Sequence, residues 1–170
     1  MKKKSILFVL VFLTGASAAF AATATAVLKP TSSESAISGQ VELEDTDGGL
    51  KISLSLDHMP PGRHAFHVHE SGFCTNGGND AGPHYNPNGH PHGNIFKDGV
   101  EHVHAGDLGN ITVGSSGSGK FETVVPGLTV SGGKYNVAGR AFIVHASEDD
   151  FSQPAGNAGG RIACGVIEAH

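Results

Sequence analysis

The chain has 170 residues, 11 Lys+Arg against 16 Asp+Glu, and a formal charge of −5. No basic patch is present, which argues against a nucleic-acid partner. Glycine is abundant at 25 residues, tryptophan is absent and helical periodicity is hard to find, which argues against a helical fold.

The first segment reads as a signal peptide over residues 1–21. Lys2, Lys3 and Lys4 form a positive start, Ile6 to Leu13 an apolar core, and Ala19-Phe20-Ala21 fits the small-x-small cleavage pattern. The apolar run is too short for a bilayer, which needs about 20 residues. Cleavage after Ala21 leaves one domain over residues 22–170, destined for the periplasm with no membrane attachment. It also leaves 8 basic against 16 acidic residues, a formal charge of −8. An anionic substrate then needs a local positive path, because the global field repels it.

Thr23 to Leu28 reads as a first strand. Ile37, Gly39, Val41 and Leu43 alternate with polar residues, Asp47-Gly48-Gly49 is a hairpin signal, and Leu50, Ile52, Leu54 and Leu56 alternate on the return. After the Pro60-Pro61-Gly62 turn, Phe66-His67-Val68-His69 reads as a further strand. In a strand, i and i+2 share a face, so His67 and His69 present two imidazoles together, their Cβ atoms about 6 to 7 Å apart. From Cys74 to Asp107 the chain is rich in Gly, Asn, Pro and His, a long loop of the kind that is functional or disordered. Strand patterns resume over Leu108 to Val113, Phe121 to Val125, Leu128 to Val130 and Tyr135 to His145. Ala146 to Gly160 is a second polar loop, and Ile162 to Ile167 closes the domain. The fold expected is all-β, an eight-stranded Greek-key β-barrel or sandwich with two long functional loops. In an oxidising compartment the only two cysteines, Cys74 and Cys164, most simply form one disulfide. On the chain-entropy model so long a closed loop is worth about 4 to 5 kcal/mol.

The loops also hold His84, His92, His104 and Asp107, and His145 ends a strand. With His67 and His69 this makes six histidines and one aspartate. Imidazole suits copper and zinc, and three histidines with one carboxylate suit tetrahedral zinc.

On Phe66-His67-Val68-His69, Ala81 to Pro87, Gly106-Asp107-Leu108-Gly109-Asn110, Gly139-Arg140 with Val144-His145, and Gly156 to Ile167, the sequence resembles the copper/zinc superoxide dismutase family. The likeness runs from about Gly39 to Ile167. It implies an enzyme that converts superoxide to oxygen and hydrogen peroxide as copper alternates between Cu(II) and Cu(I). Its copper ligands would be His67, His69, His84 and His145, and its zinc ligands His84, His92, His104 and Asp107, with His84 shared. The resemblance further makes Asp149 the carboxylate linking a copper histidine to a zinc histidine, Arg161 the cation beside the copper, and Arg161 and His84 the catalytic side chains.

Several features depart from the family pattern. The loop between His145 and Arg161 is short and lacks the charged residues that help guide substrate in eukaryotic members. Ile95 to Val100 reads as an insertion. His90 is an alternative to His92, and His102 to His104, although the spacing to Asp107 favours His104. His64 matches a position that hydrogen-bonds behind the ligands. The eukaryotic dimer face would carry Glu168 and Ser71 here, so a monomer or a bacterial-type homodimer is expected. A non-catalytic periplasmic copper-binding protein on the same fold is the alternative function. A zinc hydrolase would need an open coordination position, which a set of four protein ligands does not leave.

Overall fold

The computed structural model describes residues 21–170. The expected signal segment, apart from Ala21, lies outside the described residues. Period-two alternation shapes the first hairpin. Val41 and Leu43 on β2 (Ser38–Thr46) and Leu50, Ile52, Leu54 and Leu56 on β3 (Gly49–Asp57) are buried, while Glu42 and Glu44 between them face solvent. Asp47-Gly48 makes the two-residue turn, with Thr46 paired to Gly49.

The remaining strands are β1 (Thr23–Pro30), β4 (Gly62–His69), β5 (Asn110–Val113), β6 (Gly119–Val125), β7 (Ala141–His145), β8 (Arg161–Val166) and β9 (Glu168–Ala169). Hydrogen bonding runs in the order β2-β3-β6-β5-β4-β7-β8-β1, and β1 pairs back onto β2. Eight antiparallel strands therefore close into a Greek-key barrel, which removes the free edges an open sheet would leave. The two-residue β9 is an extra strand on β1, with Ala24 opposite Ala169. Among the described residues no helix is long and apolar enough to cross a membrane. One four-residue helix, α1 (Ile95–Asp98), falls in the expected insertion, capped by Asn94.

One expected strand, Leu128 to Val130, is absent, and the one expected over Tyr135 to His145 is paired in the barrel only over Ala141–His145. Leu128 to Val130 and Tyr135 to Arg140 form a loop, tied by Val137 N–H donating to Thr129 O at 2.9 Å and by Asp45 accepting from the amides of Val130 and Ser131. Leu128, Val130, Tyr135 and Val137 are nevertheless in the core. Burial produces the same apolar alternation whether or not the backbone pairs.

What positions the site is the burial of β4 on both faces. Phe66 and Val68 point into the barrel, where Phe66 stacks on Phe142 at 4.8 Å between ring centroids. His67 and His69 point outward, yet both are buried, because the two long loops fold over them. The first loop docks along β4 beyond its pairing with β5, which ends at Ala65. Phe66 N–H donates to Gly109 O, Val68 N–H to Gly106 O, and Tyr85 N–H to Val68 O. The approach is so close that a Cβ on Gly106 would collide with Val68 O.

Candidate metal centre

Three elements deliver the clustered side chains. β4 supplies His67 and His69. The first loop runs beside the end of β4, placing His84 opposite His69 in an isolated bridge, with Glu70 N–H donating to Pro83 O. β7 ends at His145, which pairs with Arg161 of β8 across a register irregularity after Val144. Such a bulge re-aims side chains at a strand end.

Two groups of possible ligand atoms result, each set lying within 4.8 Å of one another: His67, His69, His84 and His145, and His84, His92, His104 and Asp107. His84 belongs to both. His90 and His102 belong to neither, and His102 is exposed.

Hydrogen bonding on the far side of each ring shows which nitrogen faces inward. His69 Nδ1 lies 2.8 Å from Gly82 O, and His145 Nδ1 3.3 Å from Gly159 O. A carbonyl only accepts, so each Nδ1 carries the proton and each Nε2 keeps a lone pair. Those two Nε2 atoms face each other at 3.4 Å. Burial, first, and then the neighbouring His84 hold His69 down to about pKa 2; burial, then His67, hold His145 to about 3. Two lone pairs thus converge where a proton is disfavoured, an arrangement that calls for a metal cation. His67 repeats the pattern. Its Nε2 meets Asp149 Oδ2 at 2.8 Å, and its Nδ1 is buried without a hydrogen-bond partner.

The second group centres on Asp107, which is fully buried. Its Oδ1 lies 2.9 Å from His84 Nδ1 and 3.1 Å from His104 Nδ1. His92 Nδ1 is 2.9 Å from Oδ2 but misaligned, and remains without a hydrogen bond. Burial opposes ionisation of Asp107, yet His104, His84 and His92 together hold it well below the usual carboxylate range. Three imidazole nitrogens and one carboxylate fit the donor set of a closed zinc site. Asp149 joins the groups, its Oδ1 on His92 Nε2 at 2.9 Å and its Oδ2 on His67. Linking two rings through one carboxylate fixes both orientations.

The histidines make the metal-free protein acid-sensitive. Burial, against the opposing Asp107 bond, holds His84 down to about pKa 4. Between pH 6.5 and about 4 the unfolded chain protonates His69, His84 and His145 while the folded chain does not. Each contributes a loss of up to about 1.4 kcal/mol per pH unit as pH falls. His92 runs the other way: burial lowers it, but Asp107 and Asp149 raise it to about 9, so below pH 6.5 it is protonated in both states and cancels nothing. Chelated protein is expected to melt on the order of 10 °C lower at pH 5 than at pH 7. A flat profile by circular dichroism would contradict these burials.

An open cavity of about 840 Å³ leads to the first group, lined by His69, His84, His145 and Arg161. The half-buried Arg161 donates from Nη1 to Gly78 O at 2.6 Å and from Nη2 to Gly82 O at 2.7 Å. Gly82 O also accepts from His69, so one carbonyl connects cation and ligand. Cys74 and Cys164 form the disulfide, which ties this loop to β8 behind Arg161. His64 is buried between His145 O and Pro60 O, 2.9 Å from each.

Sequence reasoning missed two side-chain amides. Asn110 accepts from Asp149 N–H at 2.7 Å and donates to Asp149 O at 2.9 Å. Gln153 makes the same pair of bonds with the backbone of His92. No residue spacing announces such clamps, although Asn110 ends one of the family segments.

Fold and site together define a Greek-key barrel carrying two histidine-rich groups that could each hold a metal ion, joined at one imidazole. The family model described as copper/zinc superoxide dismutase (SODC) matches residues 37–167, and the chain belongs to that family. It is also similar to a crystal structure described as that of the clock protein EA4, at 32% identity and a TM-score of 0.77, covering 91% of this chain and 99% of that one.

Proposed function

We propose that this protein is an exported, periplasmic superoxide dismutase. Residues 22–170 would be the working domain after removal of a signal peptide over residues 1–21, acting as a monomer or a bacterial-type homodimer. Two superoxide anions and two protons become one dioxygen and one hydrogen peroxide. His67, His69, His84 and His145 would hold one copper ion, and His84, His92, His104 and Asp107 one zinc ion. When bound, copper supplies one-electron redox chemistry and zinc a redox-inert positive charge.

The chain's own residues do the rest. Arg161 offers a fixed cation at the cavity and draws the small anion in. His84 Nε2 would hold and release one of the two protons that the product peroxide takes up, the other coming from solvent. Asp149 keeps the rings of His67 and His92 from turning. The observation that carries this reading is His84 standing in both ligand groups, since proton handling and metal bridging then meet on one ring.

The second reading is metal binding without turnover, favoured by the similarity to a protein described by a clock role and not by an enzymatic one. Purified protein is expected to contain one copper and one zinc per chain and to dismutate superoxide. Full metal content without dismutation would support the second reading and overturn the first.

A further inference from the structure

The 146–160 loop grips His92 from several sides. Asp149 bonds its Nε2. The Phe151 ring lies nearly parallel to the imidazole, 16° off, with centroids 6.4 Å apart. Gly156 packs so tightly that a Cβ there would sit 2.7 Å from His92 Nε2 and collide with the Asp149 carboxylate. These contacts all address the ring.

Gln153 addresses the backbone. Its Nε2 donates to His92 O at 2.8 Å, and its Oε1 accepts from His92 N–H at 3.1 Å, across 61 positions of sequence. His92 belongs to no strand or helix, so its polar backbone groups need partners from elsewhere. One primary amide satisfies both. Gln153 also lines the cavity that holds Arg161, beside Pro154 and Ala155.

We propose that Gln153 is a positioning residue for His92, setting the backbone of the zinc-side ligand from the wall of the copper-side cavity. Asp149 fixes which way the ring faces, and Gln153 fixes where the ring starts. Together they leave Nδ1 2.9 Å from Asp107 Oδ2 and without a hydrogen bond of its own. A metal site tolerates distance errors of only about 0.2 Å, so a backbone free to shift by more than that weakens the ligand even when the ring is correctly turned. The inference rests on the zinc role of His92 proposed above.

Gln153→Met keeps the length of the side chain and removes both hydrogen bonds. Gln153→Glu keeps the acceptor for His92 N–H and removes the donor to His92 O. Both are made in the full chain, and three quantities are read: zinc affinity by chelator competition, copper affinity, and hydrogen exchange of the His92 amide. Losing a group that supports a ligand typically weakens a metal about 10- to 100-fold. Gln153→Met is expected to weaken zinc about tenfold and to speed His92 exchange by a similar factor, with copper affinity changed less than about twofold. Gln153→Glu should fall between wild type and Gln153→Met in both zinc affinity and exchange. Unchanged zinc affinity overturns the proposal. So does an equal loss of both metals in step with a lower melting temperature, since that marks general loosening of the loop. Wild-type protein that binds no zinc, or keeps its zinc after His92→Ala, removes the zinc role itself and the positioning role with it.

Discussion

His84→Ala is expected to lose about 100-fold or more of the dismutation rate while keeping its copper. His67, His69 and His145 remain as three nitrogen donors, and the two Nε2 atoms that face each other at 3.4 Å both belong to rings that are kept. Zinc should be held more weakly but still bound, because His92, His104 and Asp107 stay together around the buried carboxylate. What disappears is the one imidazole common to both groups. Positioned proton transfer contributes about 10²- to 10⁴-fold in enzymes generally, and the variant has no other ring in its place. Its activity is best measured on protein reconstituted with copper and assayed at known metal content, so that a lost rate is not a lost ion. Near-normal turnover at full copper occupancy would reject the bridge.

The barrel was legible in the sequence wherever one face of a strand meets water. Val41, Leu43, Leu50, Ile52, Leu54 and Leu56 alternate because their neighbours are solvated, and the period of two follows. It was misleading where an apolar loop fills the core without joining the barrel sheet, as Leu128, Val130, Tyr135 and Val137 do. The helix α1 is too short to display a period, and only Asn94 marks its start. The two clustered groups stood out because histidine and aspartate recur at strand spacing or in glycine-bearing loops. The clamps by Asn110 and Gln153 did not, because an amide that bonds a distant backbone leaves no local pattern. Glu168, one reason to expect a different subunit contact, is exposed in β9.

Arg161 is expected to govern how fast substrate arrives. Residues 22–170 carry a formal charge of −8, and Glu70 shares the cavity wall with Arg161. Among the residues lining the cavity, Arg161 is the only Arg or Lys. Removing its charge should lower kcat/KM about tenfold, and reversing it in Arg161→Glu about 100-fold, within the range by which focused fields change on-rates. The side chain has a second task, since its two hydrogen bonds hold Gly78 O and Gly82 O, and Gly82 O supports His69. Arg161→Lys separates the two. It keeps the charge but lacks the planar fork that reaches both carbonyls. If charge dominates, Arg161→Lys stays close to wild type; if the clamp dominates, it falls with Arg161→Ala. Salt gives an independent reading, because screening acts over about 10 Å at 0.1 M. Attraction at the mouth predicts a wild-type rate that declines with added salt, whereas repulsion by the whole acidic surface predicts one that climbs. We expect the decline, a weaker decline in Arg161→Ala, and a rise in Arg161→Glu, with both metals retained in all three. Equal rates for wild type and Arg161→Glu at low ionic strength and full metal content would leave Arg161 with a structural task only.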